Sequence, residues 1–139
     1  MNEILELVRT TVDTAMLVLI WLVQLIIYPA FRSIESSRFK TWHRTYMNTI
    51  ALFVIPLMLL QAACIALQIH EKPDAAILLA AGTVLAAWVI TFAISAPCHR
   101  RLQEDGQQKA LIARLISTNW LRTACWSLTW LAGMLTAAR

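Results

Sequence analysis

The sequence predicts an all-α fold, an integral membrane four-helix bundle of antiparallel up-down topology with both termini on the non-cytoplasmic side. Composition is the first reason: 59% of the 139 residues are hydrophobic and 14% charged, where a soluble domain carries about 25% charged residues. Four long runs nearly free of charge are the second, since a soluble domain of this size has no core able to bury them all. The third is the concentration of Lys and Arg on one side of the expected bundle.

The first span is expected at residues 12–31, after an amphipathic start through Thr11, with Pro29 and Arg32 marking its far end. A polar connector leads to a second span at 46–69, which contains Pro56; a membrane helix tolerates that proline with a kink. His70-Glu71-Lys72-Pro73-Asp74 reads as a tight hairpin, with Asp74 placed to cap a third span at 75–97 that Pro97 ends. A charged loop turning at Gly106 precedes the fourth span, 115–138. At about 1.5 Å per residue, each is long enough for a hydrocarbon core of about 30 Å. The whole chain, 1–139, forms a single membrane domain.

Orientation follows from counting. Arg32, Arg38, Lys40, Arg44, Arg100, Arg101, Lys109, Arg114 and Arg122 share one side, and Arg9, Lys72 and Arg139 the other, 9 against 3. Loops 32–42 and 98–112 are therefore expected in the cytoplasm and the protein in the cell membrane. Trp42 and Trp120 fall near the same boundary, where amphipathic rings settle. The net charge of +4 and pI near 9.3 come from these connectors and not from a folded basic patch, so no nucleic-acid partner is expected. Cys64, Cys98 and Cys125 lack a paired spacing and read as free thiols in apolar runs. The acidic N-terminus, Glu3 and Glu6, is unlike a secretory signal, and the first hydrophobic segment is expected to be retained.

With alternating helix directions, the end of span one, the start of two, the end of three and the start of four meet at one level. That level carries Tyr28, His43, Tyr46, Asn48, Ser95, Cys98, His99, Asn119 and Arg122. Spacings of three and four residues put Gln24 with Tyr28, His43 with Tyr46, Ser95 with His99, and Asn119 with Arg122 on shared faces. Polar groups at membrane depth normally turn to the bundle interior and pair there. His43 and His99 are candidate bases, because a neutral imidazole exchanges protons near neutral pH. Tyr28, Tyr46, Asn48, Asn119 and Arg122 are candidate substrate-binding residues. A plainer reading stands beside this one: the histidines sit in the headgroup zone, Arg122 snorkels outward, and Asn119 bonds across helices. The far end offers little comparable chemistry beyond Asp13 and His70, and the middle reads as apolar.

No cofactor or metal is expected. A haem or metal held by His43 and His99 is an alternative that lacks any supporting ligand spacing. Membrane lipids are the expected surroundings, and a hydrophobic small molecule, a quinone or a partner helix the expected ligand classes. Gly82 and Gly133 are isolated and say nothing of oligomeric state.

The stretch Ser95-Ala96-Pro97-Cys98-His99-Arg100-Arg101-Leu102, followed by Asn119-Trp120-Leu121-Arg122-Thr123, resembles the anthrone-oxygenase-like family of small four-span membrane proteins. The resemblance is strongest over residues 95–139; the first half matches in layout, in Tyr28-Pro29 and in His43. The family often has Asn at the His99 place and His at the Asn119 place, an exchange that suits two residues in contact. The resemblance implies oxidation of a polycyclic phenolic ketone by dioxygen without a cofactor. In that chemistry a base removes a proton and the carbanion reacts with oxygen; His99 or His43 would be the base, with Arg122, Asn119 and Tyr46 holding the enolate oxygen. The competing expectation is a noncatalytic protein that binds a lipid, quinone or partner helix in the same layer.

Overall fold

The computed structural model describes residues 2–137; Met1, Ala138 and Arg139 lie outside the described residues. What it describes is helical apart from short connectors, with no strand. The first helix runs Asn2–Leu22, widens into a π turn over Val23–Ile27, resumes at Tyr28–Ala30 and closes in a 3-10 turn, Phe31–Ser33. The second is continuous over Ser36–Glu71, with Pro56 inside it. The third runs Ala75–Ile90, passes through a π turn at Thr91–Ser95 and continues over Ala96–Asp105. The fourth is Lys109–Ala137.

Both π turns have the same cause. A proline in a helix lacks an N–H, and its ring collides with the carbonyl of the residue four before it. Upstream of Pro29 the Tyr28 N–H reaches back five residues to the Val23 carbonyl, and upstream of Pro97 the Ala96 N–H reaches the Thr91 carbonyl. The wider turn makes room for the ring without ending the helix. Pro97 therefore does not end the third helix as expected, and Cys98, His99 and Gln103 belong to a regular helical face instead of a loop.

The connectors follow their sequence signals. Asp74 caps the third helix, its carboxylate accepting from the Ile77 N–H at 2.9 Å. Gly106 takes the left-handed conformation (φ 87°) that a non-glycine residue adopts at a cost, and its N–H donates to the Leu102 carbonyl. The two basic connectors are tied together. The Gln107 amide nitrogen donates to the carbonyls of Phe31 and Ile34 at 2.8 and 2.7 Å, and the Lys40 ammonium donates to the Glu104 carbonyl.

The first helix packs on the second and fourth, and the third also packs on the second and fourth. Contacts such as Arg9 with Gln68 and Tyr28 with His99 join the start of the first helix to the end of the second, and its end to the end of the third. The distribution of polarity differs from that of a soluble bundle, with large apolar side chains on the outside and polar ones set within an apolar core. Leu52, Ile4, Leu7, Leu85 and Phe92 are more than 60% exposed, whereas Arg9, Asp13, Gln24, His43, Gln61, His99, Asn119 and Arg122 are buried. Apolar outside and polar inside is what a hydrocarbon solvent selects. Among the described residues, three helices are long and apolar enough to cross a membrane, the segments 3–33, 36–71 and 75–105. The fourth helix, 29 residues long, is not among these three, and it buries Asn119, Arg122, Thr123 and Thr129.

Candidate functional site

The polar residues singled out by spacing converge, with one exception. His43 from the second helix and His99 from the third meet nitrogen to nitrogen, Nε2 to Nδ1, at 3.0 Å. The other nitrogen of His99 lies 3.0 Å from the Tyr28 hydroxyl, and the other nitrogen of His43 lies 3.1 Å from the Gln103 amide oxygen. All four ring nitrogens are thus engaged, and neither histidine presents a bare nitrogen to an incoming molecule.

Arg122 closes the layer from the fourth helix. One of its terminal nitrogens donates to the Tyr28 hydroxyl (3.3 Å), the Ser95 hydroxyl (3.4 Å) and the Asn119 amide oxygen (3.1 Å). Asn119 donates in turn to Gln24 at 2.8 Å, and Gln24 donates to the Ile116 carbonyl. The guanidinium lies over the Trp126 ring, 5.2 Å from its centroid. Every partner of Arg122 is neutral: among the described residues no carboxylate lies within ion-pair distance of it, and its Nε has no hydrogen-bond partner. At 7% exposure this is a buried positive charge without a counter-charge. Such a charge is costly, and proteins ordinarily pair it.

Aromatic rings wall the layer on the side of the first two helices. Phe31 touches Tyr28, His43, Tyr46 and His99 with ring centroids between 5.2 and 6.1 Å apart. Tyr46 stacks on Trp42, with its ring 6.2 and 6.3 Å from those of His43 and His99. Its outer side lines an apolar groove of about 430 Å³ between the first and second helices, together with Ile26, Ile27, Ala30, Ile50 and Phe53. A second groove of about 530 Å³ shares Ile50 and Phe53 with it and extends toward Thr11 and Leu57. Sites of 300–1,000 Å³ hold small organic ligands.

Asn48 is the exception. It is exposed, and its side chain makes no hydrogen bond among the described residues. Gln103 is the residue that spacing misses: it sits four after His99 on one helical face, a relation that the expectation of a helix end at Pro97 hides.

The expectation of an apolar middle, and of a far end with little chemistry beyond Asp13 and His70, is corrected by a second buried cluster around Asp13. Arg9 and Asp13 form an ion pair (Nε to Oδ2, 3.3 Å) at 2% and 1% exposure. The Gln61 amide donates to Asp13 at 2.6 Å, the Trp126 indole donates to Gln61 at 3.1 Å, and Arg9 donates to Gln68 at 2.8 Å. Gly133 gives the room: a Cβ there would stand 3.0 Å from Asp13 Oδ2. Trp126 thereby touches both clusters. His70, by contrast, is exposed.

For the metal alternative, among the described residues no group of three or more His, Cys, Asp and Glu side chains gathers. His43 and His99 face each other as hydrogen-bond partners. No family model, curated protein or solved structure matches the chain.

Proposed function

We propose that the chain is a multi-pass protein of the cell membrane that binds a hydrophobic aromatic phenol or ketone between its first two helices and deprotonates it beside Arg122. The reading extends to cofactor-independent oxygenation, as in the anthrone-oxygenase-like family it resembles. One observation carries it: the buried Arg122 guanidinium has no carboxylate partner, while the only other buried arginine among the described residues has one. A site that lacks an anion at rest is suited to an anion formed during the reaction, such as an enolate. Tyr46, between the groove and the histidines, is the side chain that a ligand would move aside to reach Tyr28 and Arg122.

In this reading all four helices cross the bilayer as an antiparallel up-down bundle, with termini outside and the basic connectors, 32–42 and 98–112, in the cytoplasm. Burial sharpens the charge count behind it. Arg122 and Arg9 are interior, which leaves, among the described residues, eight exposed Lys and Arg on the connector side against Lys72.

The test is oxygen uptake by purified protein in lipid nanodiscs with a panel of anthrones, naphthols and quinols, run beside mass spectrometry of molecules carried through purification. Consumption that falls at least 100-fold in Arg122→Met supports the proposal. If no aromatic hydroxy compound is consumed or bound by the parent protein, the oxygenase reading fails. The noncatalytic reading gains if a quinone or lipid is recovered with the parent and lost in Tyr46→Ala without any turnover; its support is that the polar layer is already internally hydrogen-bonded.

A further inference from the structure

The hydrogen bonds of the layer can be given a direction. The Gln103 amide nitrogen donates to the Lys40 carbonyl at 3.2 Å, so its amide oxygen is the atom that faces His43. His43 Nδ1 must then carry a hydrogen, and in a neutral ring Nε2 is left as an acceptor. His99 Nδ1, 3.0 Å from it, supplies the hydrogen of that bond, which leaves His99 Nε2 to accept the Tyr28 O–H. The Tyr28 oxygen in turn accepts from Arg122. Two imidazoles joined nitrogen to nitrogen cannot both be protonated there, so the chain is consistent only in this sense: Arg122 to Tyr28 to His99 to His43 to Gln103.

From this polarity we infer that Tyr28 is the group that exchanges a proton with the bound substrate, and that His99 and His43 pass the proton to the connector face, with Gln103 setting the direction. The step conserves atoms and charge. The Tyr28 O–H bond breaks as its proton forms an N–H bond at His99 Nε2; His99 gives its Nδ1 proton to His43 Nε2; His43 releases its Nδ1 proton to water where partly exposed Gln103 swings aside. The phenolate left on Tyr28 is the missing counter-charge of Arg122. It then takes a proton from the acidic C–H or O–H of the substrate, whose electron pair stays on the substrate as an anion beside the same guanidinium. No redox change is involved, and one proton has moved from substrate to the basic connectors. The two rings end in the opposite tautomer and reset by ring rotation with proton exchange; a reverse hop would hand the proton back to the substrate anion. The substrate part rests on the proposed function; the tautomers and the relay do not.

The chain has three histidines and two tyrosines, which makes a spectroscopic test direct. In ¹⁵N-histidine protein in nanodiscs, His43 and His99 are expected to be Nδ1-protonated with bare Nε2, and exposed His70 serves as the reference. Replacing tyrosine with 3-fluorotyrosine in Tyr46→Phe makes only the Tyr28 phenol a stronger acid. The His99 Nε2 resonance should move toward the protonated position while His70 stays fixed. If Tyr46→Phe does not fold, the parent with both tyrosines fluorinated is read instead. Gln103→Leu should leave His43 in a mixture of tautomers. An Nε2-protonated His43 or His99 in the parent overturns the relay. A His99 signal that ignores the fluorine does the same, and a single unchanged His43 tautomer in Gln103→Leu removes Gln103 from it. None of these readings needs a substrate, so a failure to find one leaves them standing, and their failure leaves the oxygen-uptake test standing.

Discussion

Two arginines are buried in this bundle, and the difference between their surroundings separates what holds the protein together from what it is built to do. Arg9 meets Asp13 at 3.3 Å, and two amides join them, Gln61 donating to the carboxylate and Gln68 accepting from the guanidinium. That cluster is neutral in sum. Arg122 has the same burial and the same helix-to-helix reach, yet its partners are two hydroxyls, an amide and an indole ring. It holds a net charge in the interior. One arginine is solved as packing, whereas the other leaves an electrostatic demand that only an anion can meet.

The contrast breaks most visibly at Asp13. Asp13→Ala strands the Arg9 charge, and removing one partner of a buried pair costs about 3–5 kcal/mol. Chemical or thermal denaturation in micelles should register the loss, and expression of the folded protein should drop with it. Gly133→Ala is next. The added methyl stands 3.0 Å from Asp13 Oδ2, and the shift it forces is expected to cost about 1–3 kcal/mol, with the oxygen-uptake and histidine signals unchanged in what remains folded. Arg122→Met should behave in the opposite way. It forfeits hydrogen bonds that average about 0.6 kcal/mol each in a membrane protein but removes an uncompensated charge. We expect stability within about 1 kcal/mol of the parent, or a gain, together with the loss of any turnover. A loss as large as that of Asp13→Ala would mean that Arg122 has a counter-charge at rest, and the proposed function would lose its main support. Smallest of all, Asn48→Ala should fall within about 0.5 kcal/mol of the parent and leave activity intact, since Asn48 faces outward.

Much of this was legible from residue order. The four apolar runs, the Asp74 cap, the Gly106 turn and the convergence of Tyr28, His43, His99, Asn119 and Arg122 all follow from hydropathy, cap chemistry and spacings of three or four. Asn48 shares the level of these residues but not their angle. Five residues after His43, at about 100° per residue, it lies about 140° round the helix. Gln103 was hidden by Pro97, because the rule that proline ends a helix does not foresee a π turn that accommodates the ring. The Arg9 cluster was missed for a different reason. Arg9 falls in the amphipathic start that runs through Thr11, and Gln61 and Gln68 lie singly in an apolar run; only the fold shows that they and Asp13 share one interior point. A lone amide in a hydrophobic helix carries no partner's address in the sequence.

The paired π turns add a consequence of a different kind. Each reaches back five residues where an ordinary turn reaches four, so the segment beyond it is clocked by one position relative to the helix before it. Tyr28 and His99 both lie just past such a turn. Their aim is thus a matter of phase, adjustable independently of the packing upstream. Winding 23–27 or 91–95 as ordinary helix with the same number of residues would rotate the distal segment by about 100°, and it would turn Tyr28 or His99 out of the interior without altering a single side chain of the layer.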